Sequence, residues 1–217
     1  MYKHDVEMRD SWVWPKDDIG AWMWLNNEMD LPQRIRKHVS NFDTCIHAGA
    51  HAGIYTKQYA YMFRHIYAVE PQGRNFFCLT TNVHEENVTK IQACFSNKRK
   101  RVNMYTADRT NSGGFFVTPG DDFHVILMDD LIGDVGLIHL DVEGHELEAL
   151  QGGKELIDRC SPVIVLETIH PEKDKVAAEF LFELGYEVVE LLGIDDWGKP
   201  GLDTVYKRKP KSKRNKK

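Results

Sequence analysis

Cys45-Ile46-His47-Ala48-Gly49-Ala50-His51-Ala52-Gly53 and, a helix-length further on, Ala68-Val69-Glu70-Pro71 decide how this chain folds. The first run reads as an apolar strand entering a turn of small residues. Residues 54–64 then carry helical spacing, and 66–69 form a second strand that ends on a carboxylate. Strand, small-residue turn, helix and strand make the crossover unit of a parallel sheet. In such sheets ligands bind beyond the carboxyl ends of the strands, near a reversal of strand order. Gly49 and Gly53 therefore stand where backbone is expected to pass close to a ligand. Glu70 lies 17 residues past Gly53. A carboxylate placed there accepts hydrogen bonds from both hydroxyls of a ribose.

The alternation continues with a helix over 74–83, a strand over 88–95 and looser β-like pieces near 102–106, 114–117 and 123–127. A strand over 137–140, a helix over 143–158, a strand over 163–166 and a helix over 173–184 follow. Strands over 186–191 and 202–206 are joined without a helix, through Asp195-Asp196-Trp197-Gly198-Lys199-Pro200-Gly201. That connection predicts a hairpin and one antiparallel strand. The expected class is α/β, a Rossmann-like, mostly parallel sheet with helices on both faces. Residues 42–207 form the main domain. Residues 1–41 read as an N-terminal helical cap, with Pro15 at a first helical position and Ile19, Trp22 and Met23 on one face. The cap either packs on the sheet or walls a pocket.

A chain of 217 residues, 42% hydrophobic and 28% charged, suits one globular domain. No apolar run approaches the roughly 18 residues of a membrane span, and the polar start Met1–Asp10 shows no secretory signal. Cys45, Cys78, Cys94 and Cys160 are widely spaced and read as reduced thiols of a cytoplasmic protein. The formal charge of -5 hides an asymmetry, because Lys207 to Lys217 hold eight basic residues and no acid; without them the body stands near -13. Residues 208–217 read as a basic, disordered tail, the one part suited to phosphates.

A nicotinamide site needs Gly-x-Gly-x-x-Gly. Here His51 stands two residues after Gly49, where its ring would crowd a pyrophosphate. A nucleoside with a short amino-acid tail, S-adenosylmethionine, fits the turn better. At this point the chain resembles the FkbM-type family of S-adenosylmethionine-dependent class I methyltransferases, over roughly residues 43–168. The resemblance rests on Ala48 to Thr56, Val69-Glu70-Pro71, Leu79 with Asn82, Asn111-Ser112-Gly113-Gly114, Met128-Asp129-Asp130-Leu131 and Pro162 to Glu167. Its most specific part is Ile138-His139-Leu140-Asp141-Val142-Glu143-Gly144-His145-Glu146, then Leu150-Gln151-Gly152-Gly153. It implies a seven-stranded class I fold whose last strand is antiparallel. It implies cofactor contacts at His47, Gly49, Ala50, His51, Gly53, Tyr55, Thr56, Glu70, Pro71, Ser96 and Asp141. Glu70 would hold the ribose, and Cys94 to Ser96 would approach the adenine. His47 stands where the family usually carries an acid, and His51 where it carries Asn. A neutral imidazole at 47 accepts one hydrogen bond, whereas a charged one repels the cofactor's ammonium.

Methyl transfer from a sulfonium is a direct displacement. Alignment supplies about 7–11 kcal/mol, and a base near a hydroxyl adds roughly 10²–10⁴-fold. Asp141, Glu143 and His170 are the candidate catalytic residues, with His145 and Glu167 on the same rim. No spacing demands a metal, although Asp141, Glu143 and His145 are types that suit a divalent ion. Glu146 is expected at solvent or in the turn, Asp129 and Asp130 as turn-formers, and Asn111 to Gly114 as a polar loop able to close. The expected activity is O-methylation of a sugar or other small polyhydroxylated acceptor, free or at a glycan end, with no membrane partner. Two rivals are a catalytically degenerate cofactor-binding module and a nucleic-acid methyltransferase guided by the tail; the acidic body argues against the second.

Overall fold

The computed structural model describes residues 5–106, 110–194 and 200–210. The chain opens with an antiparallel hairpin, β1 (Val6–Arg9) and β2 (Trp12–Pro15), followed by helices α1 (Gly20–Asn27) and α2 (Leu31–Arg36). The expected all-helical cap is corrected accordingly: Pro15 ends a strand instead of starting a helix. The reason is local. Trp12, Val13 and Trp14 are β-formers, and Trp14 is wholly buried, edge-on to Trp22 at 5.0 Å. The buried edge of α1 is also shifted. Ile19 and Met23 are 58% and 59% exposed, while Ala21 and Leu25, four apart, face inward.

Then come β3 (Thr44–Ala48), α3 (Ile54–Ala60), β4 (His65–Val69), α4 (Gly73–Asn82) and β5 (Val88–Ile91). The single strand expected over 88–95 is two. After β5 the chain leaves the sheet, and β6 (Cys94–Phe95) pairs instead with β9 (Val125–Ile126). Between them lies a separate hairpin, β7 (Val102–Tyr105) with β8 (Phe116–Pro119). β10 (Val135–Leu140) returns to the sheet. The helix expected over 143–158 is broken at Gly152-Gly153 into α5 (Glu146–Gln151) and α6 (Lys154–Cys160). The Asp129 carboxylate caps the second piece, accepting from the Leu156 backbone N–H at 2.7 Å. β11 (Val163–Glu167), α7 (Pro171–Glu183), β12 (Tyr186–Ile194) and β13 (Pro200–Arg208) complete the chain.

The seven-stranded sheet has the order β12-β13-β11-β10-β3-β4-β5. Only β13 opposes its neighbours; the other pairings are parallel. The antiparallel strand expected from the sequence is thus present, although the joining segment 195–199 lies outside the described residues. Both faces of the central strands are covered, which is why β3 and β10 are buried at every position. Cys45 and Leu137 meet helices α2–α4 on one side, while Ile46, Ile138 and Leu140 meet α5–α7 on the other. Each fully buried Leu or Ile contributes about 1.5–3 kcal/mol. Arg208, placed in the expected tail, belongs instead to the sheet. It is part of β13 and is held by Asp158 and the Leu184 carbonyl; residues 211–217 lie outside the described residues.

Candidate active site

Strand order reverses between β3 and β10, and their carboxyl ends open into one crevice. The turn after β3 is tied to its neighbours: the Gly49 and Ala50 N–H groups donate to the Val69 carbonyl, and Asp141 N–H donates to the Ala48 carbonyl. Gly49 has φ +78°, and a Cβ there would lie 1.8 Å from the Asp141 carbonyl oxygen. Glycine is required because two strand ends touch. Gly53, at φ +93°, packs on Leu79 and Val83 and is absent from the crevice wall.

Glu70 is on the near side. Its Oε2 accepts from His51 N–H at 2.9 Å and its Oε1 from Gln72 N–H at 2.8 Å. Burial pushes this carboxyl up to about 7, against the lowering effect of those two bonds. Beside it, Asn75 donates to the Ser112 carbonyl while its own buried Oδ1 has no partner. Both residues face a cavity of about 270 Å³. Ala50, Tyr55, Pro71, Cys94 and Phe95 also line it, and Ala21, Leu25 and Leu31 close it from the N-terminal segment. The cap therefore serves as a wall.

His51, Thr56 and Ser96 have their side chains engaged with other protein groups. His51 lines the cavity through its turn, but its ring packs against Trp14 at 4.8 Å and its Nε2 meets Ser112 Oγ at 2.6 Å. Ser112 Oγ donates onward to Asp18 at 2.5 Å, so His51 carries its proton on Nε2. Burial lowers the His51 pKa to about 4, and the ring is neutral. Thr56 is buried outside the wall, paired with His47 Nδ1 at 2.8 Å. Ser96 faces His145 Nε2 at 3.1 Å, also outside the wall. His47 does line the cavity, with its ring stacked on His139 at 5.1 Å. Burial, then His139, holds its pKa well below the usual range. A neutral histidine there does not repel an ammonium. Sequence reasoning missed Asn75 and His139. A polar residue inside the apolar run of β10 was the available signal for the latter.

The far end of the cavity is acidic. Asp141, Glu143 and Glu167 bring carboxylate oxygens within 4.8 Å of one another. Among the described residues this is the group that could hold a metal ion, and His145 is not part of it. Burial, then Glu143, raises Asp141 to about 7; burial, then Glu146, raises Glu143 to about 7. Glu143 sits in a turn at φ +55°, ahead of the helix instead of on it. Glu146 is nearly buried and braces that turn, accepting from the Val142 and Gly144 N–H groups. His170 is not in the wall; its Nε2 reaches Glu143 from outside at 3.3 Å, with 38% of its side chain exposed. The buried His139 pairs its Nδ1 with the Tyr59 hydroxyl at 2.9 Å and sets its Nε2 3.6 Å from Asp203 in the cavity floor.

The model of the methyltransferase FkbM domain matches residues 122–188, so the resemblance drawn from the sequence holds over that segment. Comparison with curated proteins gives no match. Among solved structures, the chain is similar to methyltransferase FkbM from Methylobacillus flagellatus, with a TM-score of 0.54 at 15% identity, covering 81% of this chain and 50% of that one. This chain spans about half the length of that protein. Precorrin-6y C5,15-methyltransferase from Geobacter metallireducens gives 0.51 at 17% identity, over 93% and 96% of the two chains. Magnesium protoporphyrin IX methyltransferase from Synechocystis, solved with S-adenosylmethionine bound, gives 0.53 at 11%, over 88% and 81%. At these identities the likeness is one of fold, and the fold is the α/β, Rossmann-like one.

Proposed function

We propose that this chain, which carries the FkbM methyltransferase segment at residues 122–188, transfers a methyl group from S-adenosylmethionine to a hydroxyl of a small polyhydroxylated acceptor. The observation that carries the reading is the placement of Glu70. Two backbone N–H groups hold its carboxylate in the same cavity as Asp141, one strand-end away from Gly49. The unpartnered Asn75 Oδ1 beside it is a second acceptor for a ribose. Two acceptors beside the first turn suit the hydroxyls of a nucleoside, and the carboxylate cluster beyond them stands where an acceptor would meet the methyl.

In this reading Glu70 and Asn75 hold the ribose hydroxyls, Cys94 and Phe95 flank the adenine, and Ala50 lies under the amino-acid tail. Neutral His47 and Tyr55 line the tail's side. The cofactor supplies the methyl on a sulfonium, a good leaving group. Asp141 orients the acceptor hydroxyl and takes its proton as the carbon–oxygen bond forms. Glu143 supports Asp141 electrostatically, and His170 positions Glu143 from outside. Residues 1–41 act as a cap, and 42–207 as the catalytic body. The wall from α1 and α2 excludes water from the transfer.

The test is a thermal melt with adenosylhomocysteine, paired with a filter assay for labelled cofactor. A saturable upward shift in wild type that Glu70→Ala lacks supports the reading. No shift and no retained label in wild type would remove it. Binding without transfer to any sugar in a broad panel would instead favour a degenerate binding module.

A further inference from the structure

Among the described residues the cavity wall contains six carboxylates, Glu28, Glu70, Asp141, Glu143, Glu167 and Asp203, and no lysine or arginine. Glu70 is engaged by backbone N–H groups at the nucleoside end. The other five gather at the opposite end: Asp141, Glu143 and Asp203 all act on Glu167, and Asp141, Asp203 and Glu28 all act on Tyr55. The basic side chains near this group, among the described residues, stand behind the wall. Lys173 lies against Gly144, and His170 meets Glu143 from outside. His139 faces Asp203 at 3.6 Å within the floor.

An enclosed wall of one sign selects its ligand. An acceptor bearing phosphate or carboxylate would meet like charges, with no lysine or arginine among the described wall residues to pair it. A neutral acceptor would leave the half-buried Asp141, Glu143 and Glu167 without a cation inside the described wall. Independently of the charge count, Glu167 Oε2 is closed off from solvent and has no hydrogen-bond partner. It is an acceptor waiting for a donor in a wall otherwise short of donors. The oxygens of Asp141, Glu143 and Glu167, within 4.8 Å of one another, lie within the span of three N–H donors on a single ammonium, whose acceptors stand about 4.6 Å apart at bond lengths of about 2.8 Å.

We infer that the acceptor is an amino alcohol, such as an aminodeoxy sugar, whose protonated amine is held by Glu143 and Glu167 while Asp141 faces the neighbouring hydroxyl. This rests on the methyltransferase reading for the transfer itself, but not for the charge preference. Asp141 and Glu167 are hydrogen-bonded to each other, and the ammonium adds donors to the Glu167 and Glu143 oxygens that this bond leaves free. It also fixes the register of the acceptor, so that only a hydroxyl vicinal to the amine reaches Asp141. Glu167 is then the residue that sets specificity for the amine.

The test is calorimetric titration of the full chain, with and without adenosylhomocysteine, using glucosamine, N-acetylglucosamine, glucose and glucose 6-phosphate. Glucosamine should bind at least about 10-fold more tightly than its N-acetylated and neutral counterparts, and the phosphate should give no heat. Glu167→Gln should erase the amine preference while leaving the adenosylhomocysteine affinity within about twofold, which also reports that the variant folds. Equal affinity for glucosamine and glucose, binding of none of the four, or tighter binding of the phosphate would overturn the inference. So would a melt that rises with magnesium or calcium and falls with chelator while glucosamine has no effect; that result gives the cluster to a divalent metal. Loss of adenosylhomocysteine binding in wild type, with the amine preference intact, counts against the methyl donor alone.

Discussion

Replacing Glu70 with glutamine separates its charge from its shape. In the folded protein burial lifts this carboxyl from 4.5 to about 7. The unfolded chain releases the proton first, so between pH 4.5 and 7 the folded state holds more protons and stability falls as pH rises. At about 1.4 kcal/mol per pH unit, the ionised form costs about 3 kcal/mol by pH 8. Glutamine carries no such slope. Its single carbonyl serves one of the two N–H donors now at 2.8 and 2.9 Å, and its amide opposes the other, a pH-independent cost of about 1–3 kcal/mol. Wild type should therefore be the more stable protein at pH 5, with the gap closing by about 6–12 °C in Tm by pH 8 for a domain of this size. The assay is thermal unfolding of both proteins at pH 5, 6, 7 and 8. Asp141 and Glu143 tilt both curves alike and cancel in the difference. Adenosylhomocysteine should flatten the wild-type slope, because ribose hydroxyls stabilise the carboxylate, and leave the variant unmoved. Parallel curves for the two proteins would refute the reasoning.

Gly49→Ala should abolish soluble folding, since its Cβ would lie 1.8 Å from the Asp141 carbonyl at a φ of +78°; soluble yield and a melt of any remaining material check this. Asp141→Asn should lower methyl transfer by about 10²–10⁴-fold while retaining the adenosylhomocysteine shift. The same change should raise the melt at pH 8, because ionisation of this buried carboxyl, lifted to about 7, works against folding there. Ser112→Ala leaves Asp18 and His51 facing each other at 3.6 Å without the bridging hydroxyl. A loss of about 1–3 kcal/mol in denaturant unfolding is expected.

The sheet was legible because its strands are short apolar runs punctuated by small residues and helices. Thr44–Ala48, His65–Val69 and Val163–Glu167 lie where hydrophobicity puts them. Glu70 and Asp141 were legible because both follow such a strand directly. The tryptophan-rich start was misread because helical spacing over 19–23 outweighed the β preference of Trp12–Trp14, which emerges once Trp14 finds its pocket. The packing partners of Gly53 and Thr56 were not legible, for a different reason. Motif position marks a neighbourhood, and only packing shows that one touches Leu79 and the other His47. The role of Asn75 depends on an unpartnered oxygen, which no linear pattern records.

The buried chain Asp18–Ser112–His51 joins three segments as distant as 94 positions apart, and His51 itself steadies Glu70 through its backbone. None of these segments comes loose alone, because release of one strands charge or an imidazole in the others. Amide protons of the first turn, of residues 111–113 and of the start of α1 should consequently exchange with deuterium at one shared rate. Breathing at the mouth of the cavity is then a single concerted event, and its frequency caps how fast any ligand enters or leaves.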